Sequence, residues 1–194
     1  MGIALDYGRA RQRLALAVEW ARSDRDVPAL WMERTQSVAS LEYITYTPML
    51  GTAMLARATD DRVDTLSLKL ESGPNAYSAR TLCHTVLVPA SITYGFDLRT
   101  TGREPLNNQP FFRYDRVDAA ERVRKPASLA YLVRTLAELN SLSCDDALAA
   151  LSAFLRARMQ AAEEALKVQL LHLDVGVDEF VEAAEALLAE AEGG

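Results

Sequence analysis

Hydrophobic positions recur at helical spacing along most of the chain. Leu14, Ala17, Val18 and Ala21 mark the buried face of a first helix, and Asp6 stands where its N-cap belongs. Arg9 and Arg13 lie one turn apart on another face, which suits a solvated stripe or a phosphate-contacting one. Ser23 to Pro28 breaks this helix, and Ala29 to Arg34 predicts a short helical turn anchored by Trp31. Ser40 to Tyr46 has the β-branched and aromatic content of an extended piece or a buried connector. Thr47 and Pro48 then form an N-cap followed by proline at the first helical position. The helix they open, Met49 to Ala58, is rich in small residues and predicts close packing against its neighbours. Leu66 to Leu70 alternates like a strand, although its flanks suit a short helix equally. Ser78 can cap a helix with Leu82, Cys83, Val86 and Leu87 on its apolar face, kinked or ended by Pro89. Pro126 begins another, with Leu129, Leu132, Val133, Leu136 and Leu139 inward. Ser143 caps a long one reaching about Leu171, striped by Leu148, Leu151, Leu155, Met159, Ala162, Leu166 and Leu170. Phe180, Ala184, Leu187 and Leu188 mark a last helix after Asp174 to Asp178.

The fold class predicted is mainly α: a single compact multi-helix domain, about seven helices around one core, with long ordered loops in the middle. Residues 1–172 form the helical domain, and residues 173–194 an acidic C-terminal helix and linker. At 194 residues the chain can bury a substantial core, and 49% hydrophobic with 25% charged residues is ordinary for a soluble globular protein. No apolar run approaches the roughly 18–20 residues of a membrane span. The first residues lack the basic and apolar regions of a secretory signal, and Asp6 stands where myristoylation needs Ser or Thr. Cys83 and Cys144 sit in apolar, helix-like contexts and predict buried thiols in a reducing, cytoplasmic compartment. Two cysteines and two distant histidines give no zinc-ligand spacing.

The net charge of −6 divides unevenly. Residues 1–142 hold 18 Lys+Arg against 16 Asp+Glu, a balance of +2, whereas residues 143–194 hold 3 against 11, a balance of −8. The acidity belongs to the C-terminal quarter and leaves the front of the chain open to anions. All basic residues but Lys69, Lys125 and Lys167 are arginine, which fits a GC-rich genome and also supplies the fork that phosphates and guanines accept.

One stretch stands apart from the helical pattern: Thr101-Gly-Arg-Glu-Pro-Leu-Asn-Asn-Gln-Pro-Phe-Phe-Arg-Tyr-Asp115. Pro105 and Pro110 forbid a helix there and disfavour a central strand. Arg103, Asn107, Asn108, Gln109 and Arg113 are residue types that read base edges and phosphates bidentately. Phe111, Phe112 and Tyr114 can tie the loop to a core or stack on a base. An ordered surface loop whose amides satisfy its own backbone has the same composition. Arg116, Arg122, Arg124 and Lys125 border the stretch, though residues 97–125 are only mildly positive, seven basic groups against five acidic. Arg80 and His84 stand four apart on one side of their helix, where a histidine is more often half-buried and hydrogen-bonded than catalytic. Asp60, Asp61 and Asp64 lack the spacing of an EF-hand and suit capping and turn duty beside Arg62.

The runs Ala56 to Asp64, Ser78 to His84, Gly95 to Leu98 and above all Gly102 to Asp115 resemble the SacI family of Type II restriction endonucleases. The likeness is long, ordered and tight over roughly residues 45–125. It implies an enzyme that binds and cuts duplex DNA with Mg²⁺, within a restriction-modification system of phage defence. Family members look longer, with a PD-(D/E)xK nuclease centre in their C-terminal half. Such chemistry needs two carboxylates on a metal beside a lysine. Here the positions two before Lys69, Lys125 and Lys167 hold Ser67, Val123 and Ala165, so the motif is absent.

The resemblance therefore implies a DNA-recognition domain over residues 1–172, with no catalytic residue, metal site or cofactor in this chain and Mg²⁺ in the implied nuclease half. Its implied partners are double-stranded DNA and a nuclease half or partner subunit. A homodimer along the long helix would match a palindromic site, and a monomer with a long core helix stays open. The candidate DNA contacts are Arg103, Asn107, Asn108, Gln109 and Arg113, with Arg99, Arg80 and His84 in second rank. One alternative is a complete Mg²⁺-dependent endonuclease using Asp60, Asp61, Asp64 and Glu71, or His84 with Glu104. The other is a helical interaction module whose acidic tail docks to a partner.

Overall fold

All 14 residues of α3 (Tyr46–Thr59) are buried, so this helix is the axis on which the others pack. A computed structural model of the chain describes residues 2–172 except Thr101, Asn108 and Lys125; the acidic helix expected beyond 172 lies outside the described residues. Around α3 stand α1 (Tyr7–Arg22), α2 (Ala29–Ser40), a rod made of α4 (Ala79–Leu82), a π turn and α5 (Val88–Tyr94), then α6 (Val117–Arg124), α7 (Ala127–Leu139) and α8 (Cys144–His172). Helices α1, α2, α4, α7 and α8 each pack directly on α3, and α8 also lies along α1 and α2. The mainly α expectation holds.

The small residues of α3 set its distance to α8. An ideal Cβ on Gly51 would stand 2.7 Å from Cζ of Phe154, a side chain with no exposed surface. Buried polar atoms on α3 are satisfied locally: the hydroxyls of Thr52 and Thr59 donate to the carbonyls of Pro48 and Leu55, each at 2.7 Å. Arg57, also buried, donates to Leu142 O at 2.8 Å and Val63 O at 3.0 Å.

Several elements differ from the sequence expectation. The turn at Trp31 extends to a full helix because Thr35 and Val38 continue its buried face, with Thr35 Oγ1 donating to Trp31 O at 2.7 Å. Helix α3 starts at Tyr46, so Thr47 is no cap; its hydroxyl is buried without a partner among the described residues, and Pro48 fits the first turn, where no N–H is required. Pro89 does not end its helix. The π turn Cys83–Leu87 carries the Val88 N–H back to Cys83 O, and the rod continues to Tyr94, where Gly95 closes it at φ +70°. Leu66 to Leu70 is neither strand nor helix: Ser67 forms one isolated antiparallel bridge with Arg116, and Leu70–Ser72 is a 3₁₀ turn. Helix α6 and the 3₁₀ turn Pro110–Arg113 were not expected, the latter because proline at the start of a short turn forfeits no hydrogen bond.

Helix α8 spans 29 residues against 14 for α3, or about 43 Å against about 21 Å. Its last turns outrun their partners. The expected apolar stripe is consequently buried through Leu155, half-buried at Met159 and exposed at Leu166.

Many arginines are clamps inside the fold. Arg156 donates to the carbonyls of Ala21 at 2.9 Å, Trp20 at 3.0 Å, Ser23 at 2.8 Å and Arg25 at 2.7 Å, closing the C-terminal end of α1. The planar fork suits this work as well as it suits phosphate. Cys83 is buried and its thiol is pushed up to about 12 by that burial, whereas Cys144 is only half-buried; both are free. Among the described residues no helix is long and apolar enough to cross a membrane.

Candidate nucleic-acid interface

The loop between α5 and α6 is fastened at both ends before it reaches solvent. At its entrance Asp97 N–H donates to Arg158 O at 3.2 Å, and Arg158 returns Nε to Asp97 O at 2.7 Å and Nη2 to the Asp97 carboxylate. Arg99 sits at φ +58°, its N–H 2.6 Å from Asp97 Oδ1 and its Nη1 2.8 Å from Leu41 O. At the exit, Val117 N–H donates to Leu66 O at 3.0 Å and Ser72 Oγ to Asp115 O at 3.0 Å. The extended piece at Leu66 to Leu68 also accepts from the other side, from Tyr77 N–H at 3.2 Å and Ala79 N–H at 3.1 Å. It thereby locks the start of α4 to the end of the loop.

Between these ends the loop is held from beneath. Leu106 has no exposed surface, and its N–H donates to His84 Nε2 at 3.3 Å. Arg80 Nη2 donates to Asn107 O at 3.0 Å, and its Cζ lies 4.4 Å from the centroid of the Phe112 ring. Phe111 and Phe112 are buried in an aromatic row with Tyr46, at centroid distances of 6.4 and 5.1 Å. The accepting Nε2 requires a neutral imidazole. Burial is the main force holding His84 below its ordinary value; Glu104 pulls the other way and Arg80 reinforces the depression.

The expected contact residues divide by position. Arg103, Asn107 and Arg113 are exposed on the loop, and neither guanidinium has a partner among the described residues. The Asn107 amide donates to the Glu104 carboxylate. Gln109 is half-buried in a groove beside Tyr43, Pro110 and Phe111. Asn108 lies outside the described residues. Arg80, His84 and Arg99 have their partners within the protein, on the loop and on the end of α2.

The residues weighed for a metal centre are not gathered into one. Asp60 receives Arg62 Nη2 at 2.6 Å. Asp64 accepts from Ser67 Oγ at 2.7 Å and Asn140 Nδ2 at 3.1 Å, and pairs with Arg116. Burial raises the Asp64 carboxyl, but Ser67, the Leu66 N–H, Arg116 and Asn140 together outweigh it and hold the group low. Asp61 and Glu71 are exposed, and among the described residues no three His, Cys, Asp or Glu side chains converge. These carboxylates do not fit a Mg²⁺ site.

Two features escaped the sequence reading. Arg116, counted there among the basic residues bordering the loop, is neutralised by Asp64 and by Asp118 at 3.2 Å. Lys69 and Glu71 flank a cleft beneath the loop; nothing in their local sequence places them beside Arg80 and Phe112.

Residues 9–160 match the family model for the SacI restriction endonuclease N-terminal domain. The chain is similar to the Type II restriction enzyme SacI of Streptomyces achromogenes, 46% identical over 147 residues, covering 75% of this chain and 41% of that enzyme. The likeness reaches from α1 through most of α8, beyond the central 45–125 that carried the resemblance, and spans less than half the length of that relative. With the same domain matched across nearly all the described helices, the chain belongs to the family of the SacI restriction endonuclease N-terminal domain.

Proposed function

We propose that this chain binds duplex DNA through the loop at Gly102 to Asp115, as the recognition part of a SacI-like restriction system in the cytoplasm. The observation that carries the reading is the pair of exposed guanidiniums, Arg103 and Arg113, without partners among the described residues, on a loop whose backbone is pinned to α4 by Arg80 and to the π turn after it by His84. Rigid presentation matters because a contact made by a floppy loop loses its gain to ordering entropy. Arg103, Asn107, Asn108, Gln109 and Arg113 supply the groove and backbone contacts in this reading, while Arg80, His84 and Arg99 position them. The relative's printed name, a Type II restriction enzyme, supports the restriction role. Hydrolysis and its Mg²⁺ are assigned to a nuclease half or partner subunit, since the carboxylates here serve ion pairs and turns. The exposed Leu166 on the projecting end of α8 offers that half, or a second copy of this chain, an apolar contact.

The test is selection of bound duplexes from a random-sequence pool, followed by titration of Arg103→Ala and Asn108→Ala. Each should lose about 1–3 kcal/mol of specific binding with an unchanged fold. If both bind the selected site as tightly as the parent, the loop is not the contact surface.

A further inference from the structure

Under the loop, between the 3₁₀ turn Leu70–Ser72 and the start of α4, lies an open cleft of about 290 Å³. Its polar lining is Lys69, Glu71, Ser78, Arg80 and Thr81, with Phe112 as one wall. Two cations face this space, and among the described residues neither forms an ion pair. The Lys69 ammonium has no hydrogen bond or salt bridge among the described residues, its backbone carbonyl alone accepting from Ser72 N–H at 2.9 Å. Arg80 is fixed in plane by the Phe112 ring at 4.4 Å and by one bond from Nη2 to Asn107 O. Its Nε is buried without an acceptor among the described residues. An immobilised guanidinium with most of its five donors unused is suited to an anion.

The hydroxyls of Ser78 and Thr81 are 2.7 Å apart. Thr81 also hydrogen-bonds the Tyr7 side chain, so the two hydroxyls form a polar wall of the cleft whose donors are shared with Tyr7. The Ser78 hydroxyl makes no capping bond to its own helix. Beside the Glu71 carboxylate, the Lys69 ammonium and the Arg80 guanidinium are donors only, which suits a group that carries only acceptors. Lys69, Arg80 and Glu71 sum to a single positive charge, which matches a singly charged phosphodiester better than a doubly charged free phosphate.

Resting on the DNA-binding reading above, we propose that this cleft seats one backbone phosphodiester of the bound duplex, flanked by Lys69 and Arg80, while the loop above it reaches the bases. The phosphate fixes register, and the loop supplies sequence preference.

The experiment is the salt dependence of binding to a labelled mixed-sequence duplex, measured by fluorescence anisotropy for the full chain. Lys69→Ala should lower the magnitude of the log K against log[salt] slope by about 0.9, one phosphate's worth. Lys69→Arg should keep the parental slope, and Glu71→Gln should tighten binding several-fold at fixed salt. An unchanged slope in Lys69→Ala, with Arg103→Ala still lowering it, overturns this inference and leaves the DNA-binding reading intact. No salt-sensitive binding by the parent overturns both. Titration with inorganic phosphate followed by ³¹P NMR is the remaining arm: phosphate binding that depends on Lys69, beside an unaltered DNA slope, identifies a free-anion site and also overturns the proposal.

Discussion

Leu106→Ala tests how the loop is held more directly than any surface substitution. Leu106 has no exposed surface, and its backbone N–H is the donor to His84, so one residue ties the loop to the core twice. The substitution keeps the backbone bond and removes three buried carbons, worth about 2.4 kcal/mol at about 0.8 kcal/mol each. The residual cavity adds to this, which places ordinary buried Leu→Ala changes at about 2–5 kcal/mol. The loop lies at the margin of the core, where partial collapse is possible, so about 2–3 kcal/mol is expected. Urea unfolding should show a lower midpoint at constant slope. Hydrogen exchange at Leu106 and Asn107 should accelerate more than exchange along α3, because the loop opens before the core does. DNA affinity should fall while the salt slope stays parental, since the contacting charges remain and only their presentation is lost. A stability loss below about 0.5 kcal/mol, with parental exchange at both amides, would refute the claim that the loop is anchored through Leu106.

Gly51→Ala should destabilise by about 1–2 kcal/mol: crowding the Phe154 ring costs about 1–3 kcal/mol and the helix-propensity gain returns about 0.5–1. A thermal midpoint equal to or above the parent's would mean that α8 can move off α3 freely. Because His84 is held below its ordinary 6.5, its neutral form belongs to the fold; the stability it contributes is complete above 6.5 and is lost as pH falls through the depressed value. The urea midpoint should drop as the pH falls below 6.5, and His84→Gln, which retains an acceptor, should flatten that part of the profile. Identical pH profiles for the two proteins would show that His84 does not couple to the loop.

Local chemistry was enough to recover much of this molecule. The apolar faces of α1, α7 and α8 follow directly from residues repeating every three or four positions, and Asp6 caps α1 as its side chain requires, with Oδ1 accepting from Gly8 and Arg9 N–H at 2.8 and 3.0 Å. The small residues of α3 foretold a closely packed helix, although not that it would be buried on every side. The proline-framed stretch announced itself as the feature without periodicity. Errors fell where local rules compete. Thr47 and Pro48 satisfy the sequence signature of a helix start, yet Tyr46 is drawn into the helix by burial beside Phe111. Pro89 signals a break, and a π turn absorbs it. Helix α6 spans 8 residues and is settled by packing on α7 and on the Pro110–Arg113 turn, contacts invisible along the chain.

The sequence by itself determined the helical class, the core faces, the absence of a lysine–carboxylate nuclease motif and the kinship with SacI-like enzymes, because each is carried by spacing or by contiguous residue identity. Only the tertiary structure decided which charges are free. Arginine has one formal charge wherever it occurs, but Arg57, Arg156 and Arg158 spend theirs on carbonyls or on Asp97, Arg116 is cancelled by Asp64 and Asp118, and Arg103 and Arg113 remain exposed. Likewise Arg80 and His84 stand four residues apart on one side of their rod, and it is the loop folding back over them that turns them into its supports and opens the cleft beside Lys69. Partner choice among charges depends on distances across dozens of residues, and those distances exist only once the helices have packed.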